Sequence, residues 1–133
     1  MIEKEKIIEI IKSSLLNNPD VLFAYIFGSF TSKNNFRDID IGIFITNLDD
    51  IDILNYEFEI EKRLEDSLNI EFDVRVINKA PSSFVYHILK NNILVVDRDK
   101  LLRADFENII YKTYFDLQFF TKEYLMDVKN VPV

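Results

Sequence analysis

The chain of 133 residues contains no cysteine, one histidine and only two glycines. The absence of cysteine excludes a disulfide framework, a cysteine-based zinc site and a thiolate nucleophile. No apolar run approaches the roughly 18 residues that a membrane helix needs, and the charged segment 1–6 lacks the apolar core of a signal peptide. These absences predict a cytoplasmic protein that has no membrane-spanning segment.

The charge of the chain is unbalanced. Sixteen basic and 23 acidic residues give a formal net charge of −7. A negative net charge opposes binding to a phosphate backbone, and the chain has no basic stripe with interleaved aromatic residues. We therefore expect no nucleic-acid substrate. A basic protein partner, or a nucleotide neutralised by metal, suits this charge better.

The length and the 48% hydrophobic content favour one well-packed domain that spans residues 1–133. The apolar periodicity predicts four helices and four strands, with a single helical turn at 28–33. The helices cover 2–17, 50–68, 81–91 and 99–127, and the strands cover 21–27, 38–45, 71–77 and 93–96. This order predicts an α/β fold in which helices back a mixed sheet.

The helix predicted at 50–68 is amphipathic. Its apolar stripe consists of Ile53, Ile60, Leu64 and Leu68. The glutamate, lysine and arginine residues on its other side are interpreted as a solvated face without a function of its own.

The strongest signal is a small-residue turn followed by two acids. Gly28 and Ser29 follow the apolar run 21–27. After eight intervening residues, Asp38 and Asp40 begin the next strand. Residues two apart in a strand point to the same face, so these carboxylates project together. Carboxylates that hold Mg²⁺, beside a turn whose N–H groups bind phosphate, are what phosphoryl or nucleotidyl transfer requires.

Asp73 is the best candidate for a third metal ligand. It is the central polar residue of a strand whose other face is apolar, so it can join Asp38 and Asp40 if the two strands are neighbours. Without metal such a cluster repels itself, and the pKa of at least one of these carboxyl groups should rise. Taken alone, Asp73 is equally well explained as an ordinary acid on the polar face of a half-solvated sheet.

Together these residues resemble the signature of the minimal nucleotidyltransferase (MNT) group of the DNA polymerase β superfamily. That signature is a Gly-Ser pair, a loop and Asp-x-Asp, which residues 27–30 and 38–41 match. Residues 72–74 match the strand that carries the third acid, and 77–91 and 105–116 resemble the helices that follow. The resemblance covers nearly the whole chain.

The resemblance implies a polymerase-β-like fold with a mixed sheet of four to five strands, and ATP bound through two Mg²⁺ ions. Asp38, Asp40 and Asp73 would bind the metal, and Asp73 would also help to deprotonate the attacking hydroxyl. Gly28 and Ser29 would hold the phosphates. Small members of the group are often antitoxins, which silence a HEPN-domain ribonuclease toxin by transferring AMP from ATP to one of its tyrosines. The resemblance therefore also implies a HEPN-type partner.

The loop that would hold the phosphates differs from the family pattern. It is shorter than usual between Ser29 and Asp38, and Ser32 and Lys33 replace the usual Arg-Gly pair. Arg37 replaces the small residue that normally precedes the first acid. We hypothesise that Lys33 or Arg37 supplies the missing positive charge to the nucleotide. The alternative is that both are solvated loop cations.

The final helix carries aromatic and aliphatic side chains over more than one stripe. One interpretation is that one side covers the sheet, while the side near Tyr111, Phe115 and Phe119 meets a partner chain in a homo- or hetero-oligomer. The other interpretation is that this second side packs on the N-terminal helix. His87, the lone histidine, is expected to have a structural role.

Three functions are compatible with these residues. The leading one is Mg²⁺-dependent transfer of AMP from ATP to a hydroxyl of a HEPN-type toxin, by which the chain acts as an antitoxin. The second is transfer to a small molecule such as an aminoglycoside, although no additional domain is present to build an acceptor pocket. The third is a non-catalytic antitoxin that inhibits by binding alone.

Overall fold

The computed structural model describes residues 2–129, and within them five helices and four strands follow one another in the predicted order. The helices are α1 (Lys4–Leu16), α2 (Ser29–Ser32), α3 (Ile53–Leu68), α4 (Ser82–Lys90) and α5 (Lys100–Lys129). The strands are β1 (Val21–Phe27), β2 (Asp38–Ile45), β3 (Glu71–Val76) and β4 (Ile93–Asp97).

The four strands form one mixed sheet in the order β3-β2-β1-β4. Strand β1 pairs antiparallel with both β2 and β4, whereas β2 and β3 pair in parallel. Helices α1 and α3 pack on one face of the sheet, and α4 and α5 pack on the other. This architecture confirms the predicted fold class, with a sheet of four strands.

Strand β2 separates its isoleucines from its acids. Four isoleucines are at most 1% exposed and pack toward α1 and α3: Ile39, Ile41, Ile43 and Ile45. Gly42 faces the other side, where a Cβ would lie 3.2 Å from Ile77 Cγ2 and 3.3 Å from Ile88 Cδ1. The glycine therefore lets α4 approach the sheet closely, on the same face as the two acids of β2.

Helix α3 protects the outer edge of the sheet. Strand β3 lies at that edge, so its outward N–H groups have no partner strand. Three half-buried glutamates of α3, spaced four residues apart, accept hydrogen bonds from these N–H groups. Glu65 accepts from Phe72 at 3.2 Å, Glu61 from Val74 at 3.2 Å, and Glu57 from Val76 at 2.7 Å. The interpretation of the charged side of this helix as merely solvated is wrong for these three residues.

The start of α3 differs from the prediction. Residues 48–50 form a separate 3-10 turn, and Asp52 then caps the helix by accepting the N–H of Asn55 at 3.3 Å. Ile53 sits in the first helical turn and is 37% exposed, so its predicted place in the core is wrong. The rest of the predicted stripe is buried: Ile60, Leu64 and Leu68.

Helix α5 is anchored only through its first half. Ile110 is buried, and the ring of Tyr114 stacks on Tyr86 of α4 with centroids 3.9 Å apart. Every residue from 115 to 126 is exposed. Helix α1 packs on the opposite face of the sheet, so the interpretation that α5 packs on the N-terminal helix is wrong. No helix in the described part of the chain has the length and apolarity needed to cross a bilayer.

Candidate active site

The three candidate metal ligands lie on one face of the sheet. Asp38 and Asp40 belong to β2, and Asp73 belongs to β3. In the parallel pairing of these strands, Asp40 lies directly beside Asp73. Asp38 is two residues earlier in β2 and therefore points to the same face. The fold thus brings together the three carboxylates that the sequence pattern singled out.

The electrostatics of Asp40 reflect this convergence. Its pKa is raised from the ordinary value of 3.8 to about 6. Burial of the carboxyl group is the largest cause, followed by the negative charges of Asp38 and Asp73, while Arg75 acts in the opposite direction. The expected rise is found, and burial contributes more to it than the repulsion from either aspartate alone. A carboxylate disfavoured in this way is stabilised by any cation that binds beside it.

The raised pKa predicts that Asp40→Asn stabilises the protein at neutral pH. The folded state keeps a proton on Asp40 between pH about 4 and 6 that the unfolded chain releases, so the free energy of unfolding falls as pH rises through this window. Asp40 is half-exposed, and after discounting for solvent screening we expect a gain on the order of 1 kcal/mol, or roughly 4 °C, at pH 7.5. Chemical and thermal unfolding at several pH values measure it.

The stabilisation should shrink as pH is lowered from 7.5 to 4, because wild-type Asp40 then becomes neutral as well. Asp66→Asn, at an exposed position of α3, is the matched control. A gain for Asp40→Asn that is constant over this pH range would contradict the assigned pKa.

Gly28 occupies a position that only glycine fits. It follows β1 with φ 80° and ψ −157°, a backbone conformation that residues other than glycine rarely adopt. A Cβ on Gly28 would lie 2.1 Å from Oδ2 of Asp40. The chain therefore passes directly against the Asp40 carboxylate at this point, before Ser29 begins α2. The turn that would hold phosphate and the acids that would hold metal are neighbours in space.

Asp73 has a partner that the sequence analysis missed. Nε of Arg75 donates to Oδ1 of Asp73 at 3.2 Å, and the two side chains are 58% and 44% exposed. The two residues are two apart in β3, so strand alternation already placed them on one face, and this was the available signal. The arginine adds a positive charge beside the acid cluster.

The donor chemistry of the three aspartates suits Mg²⁺, which prefers carboxylate oxygens and completes its shell with water and substrate phosphates. Within residues 2–129, no three acidic, histidine or cysteine side chains are already arranged as a metal cage. Asp38 and Asp40 share one face of β2, and Arg75 bonds only to Oδ1 of Asp73, which leaves Oδ2 of Asp73 to bind an ion.

Among the ion pairs of the described residues, none joins a candidate cation of the phosphate loop to one of the three acids. Lys33 is exposed at the end of α2, where its backbone carbonyl accepts a hydrogen bond from Lys4 Nζ at 2.6 Å. Arg37 is exposed, directly precedes Asp38 and borders a pocket. That pocket is otherwise lined by Phe36, Asn69, Ile70 and Glu71. The hypothesis that one of these cations compensates for the altered loop stays a prediction.

Two clefts flank the acid cluster. The first, of about 540 Å³, lies between the Gly28 turn and α4, and the second, of about 780 Å³, contains Asp73 and Arg75 between α3 and β3. Phe84 of α4 borders both. Asp73 lines the second cleft, and Asp40 lies between Asp73 and Gly28, which lines the first.

His87 borders the first cleft together with Gly28. It is exposed, and its ring lies edge to face against Tyr86 with centroids 6.0 Å apart, so the structural role expected for it stays a prediction. A single histidine gave no sequence signal for this position, because it depends on how α4 lies against the end of β1.

An acid-bearing mixed sheet with a glycine turn against its carboxylates is the arrangement expected of a nucleotidyltransferase domain. The family model described as polymerase beta, nucleotidyltransferase, matches residues 5–101, a range that includes both the turn and the three acids. The chain belongs to this family. No curated protein sequence matches it significantly.

Solved structures with the same fold include antitoxins bound to toxins. One is the tri-AMPylated HEPN toxin of Shewanella oneidensis in complex with MNT antitoxin, with TM-score 0.74, 19% identity, and coverage of 96% of this chain and 99% of that chain. Another is the MntA–HepT toxin–antitoxin, with TM-score 0.72, 18% identity, and coverage of 94% of this chain and 98% of that chain. A third is a toxin–antitoxin with AMP-PNP, with TM-score 0.71, 20% identity, and coverage of 96% of this chain and 99% of that chain. At these identities the likeness establishes the fold alone.

Proposed function

We propose that this chain is a Mg²⁺-dependent nucleotidyltransferase that transfers AMP from ATP to a tyrosine hydroxyl of a HEPN-type toxin, and thereby acts as its antitoxin in the cytoplasm. The observation that carries the proposal is the convergence of Asp38, Asp40 and Asp73 beside the Gly28 turn. The solved complexes that share the fold support the choice of partner, since one contains an AMPylated HEPN toxin and another contains AMP-PNP.

In the proposed mechanism, Asp38, Asp40 and Asp73 would hold Mg²⁺, which would neutralise the charge that develops at the α-phosphate of the transferred AMP. Gly28 and Ser29 hold the outer phosphates, and the missing Cβ at Gly28 keeps the turn close to Asp40. Asp73 accepts the proton of the acceptor hydroxyl. The hydroxyl oxygen bonds to the α-phosphorus as the bond to the pyrophosphate oxygen breaks, and pyrophosphate leaves. The protein mainly positions the reactants.

The two clefts give the two substrates separate places. The nucleotide occupies the cleft beside Gly28, where Phe27 and Phe84 meet edge to face with centroids 5.9 Å apart and present apolar surface. The acceptor enters the cleft that contains Asp73 and Arg75. The hydroxyl then approaches the nucleotide from the side of Asp73, which is the carboxylate assigned to take its proton.

The second half of α5 is proposed as the surface that binds the toxin. Residues 115–126 are all exposed, and apolar side chains occur around the helix. The large ones are Phe115, Leu117, Phe119, Phe120, Tyr124, Leu125 and Met126, each more than half exposed. An apolar helical surface of this extent marks a protein interaction site. A HEPN chain is the proposed occupant, because the solved structures of the same fold are complexes with HEPN toxins.

This surface predicts a large effect of Phe119→Ala on toxin binding. Phe119 is 60% exposed and contributes nothing to the core, so its loss should not alter folding. We expect the complex with the toxin to weaken by about 2 kcal/mol, roughly thirtyfold, if the ring is buried at the interface. Lys112→Ala, at an exposed lysine of α5 that lies before this surface, is the control. Calorimetry measures both, and equal affinities for the two variants would contradict the assignment.

The proposed function is tested by incubating the chain with MgATP and its candidate HEPN partner, followed by intact mass spectrometry of both proteins. An adenylyl increment on the toxin, which is absent with EDTA and lost when the acceptor tyrosine becomes phenylalanine, is the expected result. A toxin that is neutralised without any increment would instead support the non-catalytic antitoxin. The pairing of Asp73 with Arg75 is the observation that keeps this second candidate open.

A further inference from the structure

The side chain of Lys4 connects the first turn of α1 to the loop that follows Gly28. Its Nζ donates to the backbone carbonyls of Phe30 and Lys33, at 2.6 Å each. The same ammonium lies 4.9 Å from the ring centroid of Phe30 and 5.7 Å from that of Phe36. One cation thus touches four groups of the segment 30–36, all at least 26 residues away in the sequence.

Within residues 2–129, the carbonyls of Phe30 and Lys33 accept no other hydrogen bond from a loop or a side chain. Helix α2 has only four residues, and the last carbonyls of any helix have no N–H partner within it. Inside the segment, Thr31 donates to the Gly28 carbonyl and Lys33 donates to the Ser29 carbonyl. A cation at the carbonyl end of a helix also interacts favourably with its dipole. Lys4 is therefore a tether between this short turn and a long helix.

The tether is fixed at both ends. Phe30 is 1% exposed, and its ring lies edge to face against Phe36 with centroids 4.8 Å apart. On the other side, Ile7 and Ile11 bury α1 in the core. The charge of Lys4 thus acts between two elements that are already anchored by apolar packing, and it fixes the backbone between them.

We propose that Lys4 is a positioning residue for the nucleotide. By holding the carbonyls of Phe30 and Lys33, it keeps Gly28 and Ser29 beside Asp40 in the conformation that receives the phosphates. This inference rests on the proposed function, since it assigns the turn to nucleotide binding. A loop that is already ordered loses less entropy on binding, and a loop that is competent only part of the time binds with proportionally lower affinity.

The test compares Lys4→Met with Lys4→Arg and with Lys12→Met, an exposed lysine of the same helix. Hydrogen exchange without nucleotide reports the tether directly, and we expect faster exchange in residues 28–36 of Lys4→Met alone. Calorimetric titration with MgATP should give a dissociation constant raised about tenfold, with unchanged stoichiometry. Lys4→Arg should restore most of both properties, because a guanidinium can donate to two carbonyls. Lys4→Gln serves if Lys4→Met does not fold.

The outcomes separate the inference from the proposed function. If Lys4 has a purely structural role, part of the Lys4→Met protein would be misfolded. The number of MgATP molecules bound per chain would then fall, and the dissociation constant for MgATP would be unchanged. Unchanged exchange in residues 28–36, or a wild-type dissociation constant for Lys4→Met, overturns the role of Lys4 alone. If the wild-type protein does not bind MgATP, the proposed function fails and the positioning role fails with it.

Discussion

The double variant Asp38→Asn/Asp40→Asn is expected to lose nucleotidyl transfer by a factor on the order of a thousand or more. Asparagine keeps the size of each side chain but removes both negative charges that β2 contributes to the proposed metal site. Asp73 would remain as a single carboxylate, already paired with Arg75. Transfer of labelled AMP from ATP to the toxin measures the loss.

The fold should survive this change, which makes the result easy to interpret. The pKa of Asp40 is raised to about 6 chiefly by burial, so the neutral asparagine relieves an unfavourable charge at neutral pH. A large loss of activity together with a higher melting temperature cannot be explained by unfolding. Asp49→Asn/Asp50→Asn, at two exposed acids of the 3-10 turn, is the control. Residual transfer by the Asp38/Asp40 variant at more than a tenth of the wild-type rate would exclude these residues as metal ligands.

The same double variant separates catalysis from binding. An antitoxin that works by AMP transfer loses the ability to neutralise its toxin when both carboxylates are gone. An antitoxin that works by occlusion keeps it, because the exposed surface of α5 is unchanged. Neutralisation in cells and AMP transfer in solution should therefore fall together if the enzymatic proposal is correct.

The face on which each candidate acid lies could be predicted from the sequence. In β2, isoleucines alternate with Asp38, Asp40 and Gly42, and this period of two determines which side chains point toward α1 and α3. The same alternation in β3 placed Asp73. The prediction only assumed that β2 and β3 are neighbours, because no local pattern encodes which strands pair. The structure shows that they pair in parallel, with Asp40 beside Asp73.

Interactions between distant segments could not be predicted in this way. The glutamates of α3 look like a solvated face until β3 is known to be an edge strand that needs acceptors for its N–H groups. Lys4 looks like any exposed lysine until α1 and the loop after Gly28 are seen to meet. In both cases the charge has a partner on another element, and the period of its own helix carries no information about it.

The outer half of α5 shows the same limit for apolar residues. Its wide apolar surface was compatible with burial against another helix of this chain and with burial in a partner. Only the assembled sheet shows that α1 lies on the opposite face and that residues 115–126 extend free of the core. The sequence identified the apolar surface of α5, and the topology excluded its burial against α1.

The other large effect is expected for Gly28→Ala. The added Cβ would lie 2.1 Å from Oδ2 of Asp40, and the backbone has φ 80° and ψ −157°, where a residue other than glycine costs about 1–3 kcal/mol. Either the turn or the Asp40 carboxylate must move. We expect stability to fall by that amount and nucleotidyl transfer to fall on the order of a hundredfold.

Gly42→Ala provides the comparison that identifies the cause. Its Cβ would meet the side chains of Ile77 and Ile88 at 3.2 and 3.3 Å, and its φ lies outside the left-handed region. This substitution disturbs the packing of α4 but leaves the space between the turn and Asp40 unchanged. Both alanine variants should therefore be less stable, whereas only Gly28→Ala should lose most of its transfer activity when each is assayed well below its melting temperature. Equal activity losses would mean that the packing of α4, rather than the contact between Gly28 and Asp40, controls the site.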